Sequence, residues 1–336
     1  MMLKRLLYLV YYFKEIDREK LSRFVEYAHT VHPRERLKTV SLWRDILWSS
    51  LRYNISVLDY FYFRFFEIED PVKRQSFAGT GFLYEYQLKM NPPKEREVLE
   101  DKILFLKRYQ PFVQRKFLPL SGVTNKTIAK IINNPSGKLV VKGSKGQVGA
   151  EVQVLKASDF TSDSLVRYMI KHRFDLMEEY VVQHASLMAL SPSGLNTVRI
   201  FTQIEGDKLT ILGARLRITI NSSVDNMAAG NIAAPIDIAT GIVSGPGVYS
   251  DITKDDVEIH PITGLSVLGF QVPFWKETLG MMQKVVFHAP ENRSVGWDIA
   301  ISERGPEIIE GNHNWCKLLW QLPVKKGLKA ELMKFL

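Results

Sequence analysis

The hydrophobic and polar positions of the first hundred residues follow helical spacing, and aromatic side chains are frequent among them. Residues 55–66 are almost uniformly apolar, so we expect this segment to be covered on more than one side. Asn91-Pro92-Pro93 ends the pattern because a residue before proline disfavours helical geometry. The pattern predicts a helical, aromatic-rich N-terminal lobe over residues 1–95.

A mixed region follows, predicted as one α+β subdomain over residues 96–182. Helical spacing continues through residues 97–109 and 124–132. Residues 148–154 then alternate valine or alanine with glycine or a polar residue, which predicts a half-buried strand. Residues 162–171 have helical spacing again.

The second half of the chain predicts two β-hairpins and one helix. The first hairpin joins residues 196–204 to 208–220, and the second covers residues 295–312 with its turn at 304–306. Residues 275–287 are predicted to be helical. These elements predict a second α+β subdomain over residues 183–325, with residues 326–336 as a C-terminal tail.

The chain has an ordinary globular composition, with 336 residues of which 46% are hydrophobic and 24% are charged. A net charge of +9 favours anionic partners such as nucleotides, phosphates, nucleic acid or an acidic membrane, without choosing among them. The single cysteine, Cys316, excludes a disulfide within the chain and disfavours a cysteine zinc site. A reducing cytoplasm fits this composition.

The apolar residues near the N-terminus are compatible with a signal sequence, a membrane span or an amphipathic helix. The apolar run over residues 6–13 is short, contains three tyrosines and is followed by charged residues without a small-residue cleavage site. No stretch approaches 18 apolar residues, so no membrane span is predicted. We predict an amphipathic first helix in a cytoplasmic protein, and a peripheral contact with the inner face of a membrane is left open.

A glycine-containing loop, residues 142–149, joins two predicted strands. Gly146 and Gly149 allow backbone N–H groups to approach phosphate oxygens, and Lys142 at the end of the incoming strand can pair with them. The loop is not a Walker A motif because its first lysine precedes the glycines and a strand follows. An ordinary hairpin with solvated lysines is the alternative.

Three oxygen-bearing side chains belong to the second predicted hairpin. Asp298 points away from the apolar face of its strand, whereas Glu310 and Asn312 share one face of the next strand. The tight turn brings Asp298 opposite residue 310 or 311. Carboxylate and amide oxygens of this kind suit Mg²⁺, while a solvated sheet face is the alternative.

Two further segments have a chemical interpretation. Arg215 and Arg217 share a face of one strand, and Asn226 follows, a combination able to stabilise charge on a phosphoryl group in transfer. The apolar segment 177–184 can hydrogen-bond an adenine edge through its backbone. An exposed basic strand and a buried strand are the respective alternatives.

Along the chain the four segments occur as the glycine loop, segment 177–184, the arginine strand and finally the acidic hairpin, and this order resembles the ATP-grasp superfamily. Asp298 followed by Glu310-Gly311-Asn312 is the most specific part. Further phrases are similar to the sugar-transfer-associated ATP-grasp group, which is related to α-L-glutamate-ligase-like proteins. These phrases are Gln183-His184, residues 193–199, residues 224–226, residues 260–264 and residues 296–300. Two departures are the missing double glycine in the loop and Ala229-Gly230 in place of a glycine pair.

The resemblance implies an α+β ATP-grasp fold, in which two α+β subdomains clasp ATP, and it implies roles for particular residues. ATP and two Mg²⁺ ions are the implied cofactors, with the ions held by Asp298, Glu310 and Asn312. The residues implied to bind the nucleotide are Lys102, Lys142, Gly146, Gly149, Glu179, Tyr180, Val181 and His184. Arg217, assisted by Asn226, is implied in catalysis, and Arg199, Arg215 and His260 are the candidate substrate ligands.

The reaction implied by the resemblance is ATP-dependent joining of a carboxylate to an amine or a hydroxyl through an acyl phosphate. The partners would be a small-molecule carboxylate and an amine or sugar-linked acceptor, in cell-surface polysaccharide synthesis. A small-molecule kinase on a similar fold is the first alternative, and a non-catalytic basic scaffold is the second. No nucleic-acid-binding motif supports the scaffold.

Overall fold

The computed structural model describes residues 2–14, 16–31, 39–145 and 152–336. The α-helices of these residues are α1 (Met2–Lys14), α2 (Arg18–Val31), α3 (Thr39–Tyr53), α4 (Val57–Tyr62), α5 (Pro71–Gln75), α6 (Thr80–Met90), α7 (Glu97–Glu100), α8 (Lys102–Arg108), α9 (Asn125–Ile132), α10 (Ser162–His172), α11 (Ala185–Leu190), α12 (Trp275–Val285), α13 (Lys317–Gln321) and α14 (Lys329–Met333). The strands are β1 (Phe117–Pro119), β2 (Lys138–Lys142), β3 (Val152–Lys156), β4 (Leu176–Glu179), β5 (Thr197–Glu205), β6 (Lys208–Ile218), β7 (Ile232–Ile236), β8 (Ser294–Ser302) and β9 (Gly305–Asn312). None of the described helices has the length and apolar character needed to cross a bilayer.

The N-terminal lobe is helical, as predicted, and consists of α1 to α6. Helix α4 begins at a capping box in which Ser56 and Asp59 each bond the other's backbone N–H. Tyr60, Phe61 and Phe65 are almost completely buried against α2 and α3, where each ring contributes roughly 1.5–3 kcal/mol by leaving water. The apolar segment 55–66 is therefore covered on more than one side, as the sequence indicated.

The first sheet has four antiparallel strands in the order β1-β4-β2-β3, with α9 and α10 packed on it. Its edge strand β3 corrects one prediction. Residues 148 and 150 lie outside the described residues, but Val152 and Val154 are exposed rather than half-buried. The reason is that this apolar face of β3 borders a cavity instead of a packed core.

The second sheet has five antiparallel strands in the order β7-β6-β5-β8-β9. Strand β8 is buried along its whole length because the core containing α12 covers one face, and aromatic residues near α13 cover part of the other. Both predicted hairpins are present. In the second, Asp298 pairs with Glu310, and the register shifts just after this pair.

The segment 97–109 is two helices, α7 and α8, rather than the single helical segment predicted. Asp101 separates them with an extended backbone, at φ −98° and ψ 113°. Its carboxylate accepts hydrogen bonds from the backbone N–H groups of Ile103 (2.9 Å) and Leu104 (3.1 Å). An aspartate that caps a new helix interrupts the preceding one because the cap residue is not helical.

The helical lobe contacts the C-terminal segment of the chain. The side chain of Gln321 accepts a hydrogen bond from the backbone N–H of Ala78 (2.9 Å) and donates one to its carbonyl (3.0 Å). Lys317 forms an ion pair with the buried Asp59 (3.1 Å). Residues 326–336, predicted as a tail, include α14, whose Leu332 is buried.

Candidate active site

A cavity of about 590 Å³ lies between the two sheets, with the helical lobe at one side. The four-stranded sheet contributes Lys142 and Val154, the five-stranded sheet contributes Arg199 and Asp298, and the helical lobe contributes Tyr62. The residues predicted as functional that line this cavity are Lys102, Lys142, Glu179, Tyr180, Val181, Arg199, Arg217, Asn226, Asp298, Glu310 and Asn312. The fold thus brings together in one cavity residues that are up to about 200 positions apart in sequence.

Asp298 forms the centre of a buried ionic cluster. Arg199 lies opposite it on β5 and donates from both Nε and Nη2, the latter at 2.8 Å from Oδ2. Arg217 on β6 donates from Nη1 to the same oxygen at 2.8 Å. Burial alone would raise the pKa of Asp298, but the two guanidinium groups outweigh burial and hold its pKa below the ordinary value.

Glu310 lies beside Asp298 on β9 and responds in the opposite direction. Burial and the neighbouring Asp298 carboxylate raise the pKa of Glu310. The two carboxyl groups share a hydrogen bond, and Asn312 donates from Nδ2 to Glu310 Oε1 at 3.3 Å. The pKa values of the two neighbouring buried acids are thus shifted in opposite directions, because two adjacent negative charges are costly away from water.

These residues fit a magnesium ion. Within the described residues no group of three His, Cys, Asp or Glu side chains could hold a metal, so the candidate set is two carboxylates with one amide. A divalent cation would neutralise the adjacent carboxylates of Asp298 and Glu310, and the Asn312 amide can turn its oxygen inward because its two ends are nearly isosteric. Oxygen ligands with partial hydration are what Mg²⁺ prefers.

Asp225 is a functional candidate that the sequence interpretation passed over, although Asn226 beside it was selected. Its carboxylate accepts from Arg217 Nη2 and from the backbone N–H of Thr197 (3.1 Å). Arg217 is thereby held between Asp225 and Asp298. The position of Asp225 in a loop gave no periodicity from which its contact with β6 could be inferred.

A second buried network, also missed, joins the two sheets at the wall of the cavity. Arg115 contacts Glu178 on β4 at 2.6 Å and Glu307 on β9 at 2.9 Å. Lys142 reaches the other oxygen of Glu178 at 2.6 Å. Burial would raise the pKa of Glu178, but Arg115 and Lys142 outweigh it and hold this pKa at about 2. Arg115 lies in a segment without helical or strand periodicity, so the pattern offered no signal.

Strands β2 and β3, the arginine strand β6 and the acidic hairpin all border one cavity, and the family comparison agrees with this geometry. The model of the "Sugar-transfer associated ATP-grasp" family matches residues 82–335. This chain belongs to that family. The predicted family and the predicted fold class, an ATP-grasp fold after a helical lobe, are both confirmed. No curated protein matches the chain.

Solved structures that the ATP-grasp chain resembles are distant. D-alanyl-alanine synthetase A from Vibrio cholerae O1 biovar eltor str. N16961 is 12% identical, with 72% of this chain and 65% of that chain covered and a TM-score of 0.43. D-cycloserine synthetase DcsG is 10% identical, with 72% and 73% covered and a TM-score of 0.42. The ATP-grasp ligase PsnB with a precursor variant, Mg and ADP is 13% identical, with 76% and 66% covered and a TM-score of 0.41. The chain thus spans just under two thirds of the length of the Vibrio protein.

The wall of the ATP-grasp cavity also contains Lys102 and the segment 179–181. The backbone N–H of Lys102 donates to Ser144 O at 3.0 Å, which attaches the start of α8 to the end of β2. Glu179 accepts from the backbone and the ammonium of Lys116, each at 2.9 Å. Gly146 and Gly149 of the predicted phosphate loop lie outside the described residues.

Three predicted site residues do not line the cavity, and each has a structural contact instead. Arg215 is buried under α13, where it donates to the carbonyl oxygens of Ala214 (2.7 Å) and Trp320, and burial lowers its pKa to about 9. Arg215 lies two residues before Arg217 on β6, but α13 covers this end of the strand.

The two histidines are likewise structural in position. His260 is buried, with Nε2 2.9 Å from Thr219 O and Nδ1 accepting from the backbone of Thr263 at 3.2 Å. These bonds occupy both ring nitrogens, so the role of substrate ligand is not supported. His184 caps α11 by accepting from Ser186 N and faces Glu303 at 3.5 Å. A cap position, rather than a nucleotide contact, accounts for this residue.

Proposed function

We propose that this ATP-grasp protein is an ATP-dependent ligase that joins a carboxylate to an amine or hydroxyl nucleophile and releases ADP and phosphate. The observation that carries the proposal is the single cavity in which Asp298, Glu310 and Asn312 lie with Arg199 and Arg217. Membership of the family supports the nucleotide, and the buried acids fit the metal that accompanies it. We propose ATP and two Mg²⁺ ions as cofactors.

Each part of the cavity has a distinct task in this proposal. Lys102 and Lys142 neutralise the phosphates of ATP, and Tyr180 with Val181 contacts the base. Mg²⁺, held by Asp298, Glu310 and Asn312, would neutralise charge on the phosphate oxygens. Arg217 contacts the phosphoryl group in transfer. Because Asp225 and Asp298 hold its guanidinium on two sides, the group is oriented before substrate arrives.

The substrate carboxylate would attack the γ-phosphate of ATP to give an acyl phosphate and ADP, and the nucleophile would then displace phosphate. Asn226, in the loop that also contains Asp225, donates to the transferred group. Arg199 is the candidate carboxylate ligand at the cavity wall. We propose an amino acid or a similar small carboxylate as donor and a sugar-linked acceptor, in cell-surface polysaccharide synthesis.

The test measures ADP release in mixtures of amino acids or uronic acids with amine acceptors, with mass detection of products. We expect ADP release to require carboxylate and nucleophile together, and hydroxylamine to trap the activated carboxylate as a hydroxamate. A stable phosphorylated product formed without any nucleophile would identify a kinase instead. Absence of MgATP binding in calorimetry would contradict both activities.

Substitutions in the acidic hairpin make the test specific to the site. Asp298→Asn and Glu310→Gln are each expected to lower the rate of ADP release roughly 10²–10³-fold, because each removes an anionic ligand of the Mg²⁺ that would neutralise the reacting phosphates. Glu303→Gln is the matched control, since this exposed acid lies in the same hairpin outside the cavity. Equal rates of ADP release in all three variants would contradict the role of Asp298 and Glu310 in catalysis.

A further inference from the structure

Helix α1 presents an apolar face that the rest of the described protein does not cover. Along its outer side lie Leu6, Leu7, Val10, Tyr11 and Phe13, a set called here the α1 face. Leu7 and Tyr11 are 62% and 59% exposed, and the other three are at least 37% exposed. Scattered exposed apolar residues are common, but five on one helix of 13 residues form a continuous stripe.

The opposite side of α1 is anchored on the helical lobe, so the stripe is not a consequence of a detached helix. Leu9 is buried on this side, while at the margin of the α1 face Phe13 stacks against Trp43 of α3 with ring centroids 6.4 Å apart. Arg5 donates to the carbonyl oxygens of Leu51 and Arg52 at 2.9 and 3.0 Å. Helix α1 therefore has a fixed rotation, with its apolar stripe directed outward.

Neighbouring helices extend the apolar surface on both flanks. Leu47 lies on α3 between Trp43 and Leu51, two residues that contact α1, and is 40% exposed. On the other flank, Tyr84 of α6 packs edge-on against Tyr8 with centroids 6.1 Å apart. The surface thus spans three helices.

Charge distinguishes this surface from an ordinary protein interface. Helix α1 contains three basic residues and no acid, and α1, α3 and α6 together contain six basic and two acidic residues, a net charge of +4. Both acids are neutralised by ion pairs, Asp45 with Arg74 and Glu85 with Lys4. Lys14 lies at the edge of the α1 face and is exposed. Basic side chains that border a surface of aliphatic and tyrosine side chains make that surface complementary to an anionic lipid surface.

We propose that the α1 face docks on the surface of a membrane that contains anionic lipids, with α1 parallel to the membrane plane. The aliphatic side chains and tyrosine rings would enter the headgroup region, while the lysines contact lipid phosphates. Helix α2 follows within a few residues, and its Lys20 lines the active-site cavity. Docking would therefore place the helical lobe, which contributes Lys20 to that cavity, next to the membrane.

The test is flotation of the full chain with vesicles of phosphatidylcholine alone or of phosphatidylcholine with phosphatidylglycerol. We expect binding to the anionic vesicles that weakens as salt is added, because screening reduces the charge attraction. The double substitution Leu7→Gln with Val10→Gln is expected to weaken binding at least about tenfold, since losing the burial of one leucine already corresponds to roughly that factor. The matched control is Ile170→Gln with Ile262→Gln, which changes two aliphatic residues of similar exposure in other parts of the molecule.

A second readout does not depend on affinity. In a Cys316→Ser background, an environment-sensitive fluorophore attached at Tyr11→Cys should increase in emission when anionic vesicles are added, whereas one attached at Ile170→Cys should not. Failure of the unmodified chain to float with anionic vesicles would overturn the proposal. So would equal losses in both double variants, or a dimer in light scattering that only the Leu7→Gln, Val10→Gln variant dissolves. MgATP binding of that variant should be unchanged, which separates this result from the test of ligase activity.

Discussion

At the scale of single residues, the proposed chemistry depends most on Asp298, because the guanidinium groups of Arg199 and Arg217 and the carboxyl group of Glu310 all contact its carboxylate. The alternation of β8 predicted that Asp298 turns away from Trp297, and the short turn predicted its proximity to Glu310. Both inferences concern residues of one hairpin, which are close together in the chain. The contacts of Asp298 with Arg199 and Arg217 depend on the order of strands in the sheet, which residue patterns do not encode.

Arg115 permits a prediction about stability at this scale. Arg115→Met leaves the buried carboxylates of Glu178 and Glu307 without their shared guanidinium. We expect the free energy of unfolding, measured in denaturant, to fall by roughly 3–5 kcal/mol, because a buried charge that loses its partner is not resolvated. Arg108→Met is the control, since Arg108 is exposed at the end of α8 and should change stability little. A loss of similar size in both variants would contradict the role of the network.

Glu178 permits a prediction about pH. Its pKa is about 2 in the folded protein and 4.5 in the absence of structure, so the folded state binds fewer protons between these values. The stabilisation from Glu178 is therefore complete above about pH 4.5 and is lost as the pH falls towards about 2, at up to about 1.4 kcal/mol per pH unit. The variant Glu178→Gln should lack this part of the acid dependence when unfolding is followed from pH 5 downwards. If the free energy of unfolding changed with pH in parallel for the two proteins, this contribution of Glu178 would be refuted.

At the scale of elements, the hairpins and most helices were predictable, whereas the surroundings of each element were not. Strand β3 shows the limit, because its alternation indicated a strand correctly but could not distinguish a packed core from a cavity wall. Helix α8 shows another, because Asp101 fits the helical spacing of residues 97–109 yet caps a new helix. In both cases the deciding contacts are outside the element.

Gly296 in β8 permits a prediction at this scale. A Cβ atom at this position would lie 2.7 Å from Trp315 Cβ and 3.3 Å from Arg199 Cδ. Gly296→Ala should therefore displace Arg199 from Asp298 and weaken MgATP binding in calorimetry about tenfold or more, since a misplaced charged contact costs upwards of 1.4 kcal/mol. The control Gly280→Ala meets no atom within 4 Å and lies in α12, where alanine should stabilise the helix by up to about 1 kcal/mol. Unchanged binding in Gly296→Ala would show that the strand accommodates the methyl group.

At the scale of the whole molecule, the sequence predicted a helical lobe before two α+β parts but not how the lobe is attached. The attachment is formed by residues more than 200 positions apart, Ala78 with Gln321 and Asp59 with Lys317. Such pairs leave no periodic signal in the chain. They matter for function because the attached lobe contributes Lys20 and Tyr62 to the wall of the active-site cavity.

Lys317 allows the attachment to be tested. Asp59 is buried, and its Oδ2 accepts from Ser56 N (3.0 Å) and Thr80 N (2.7 Å), which leaves Oδ1 to face the ammonium of Lys317. Lys317→Met removes the counter-charge of this oxygen, so the contact between lobe and C-terminal segment should weaken by roughly 1–3 kcal/mol. Amide hydrogen exchange should then accelerate in α4 and α6 while β5 and β8 remain protected, because only the lobe loses a contact.

A second lysine near the C-terminus, Lys334, provides the control for Lys317→Met. Lys334→Met breaks the exposed ion pair with Glu331, a surface pair worth about 0–1 kcal/mol, and should leave exchange in α4 and α6 unchanged. Faster exchange throughout both sheets in Lys317→Met would mean that the lobe and the sheets unfold as one unit. A selective effect on α4 and α6 would mean that the helical side of the active-site cavity opens separately from the nucleotide side, so that access to the cavity depends on one buried ion pair.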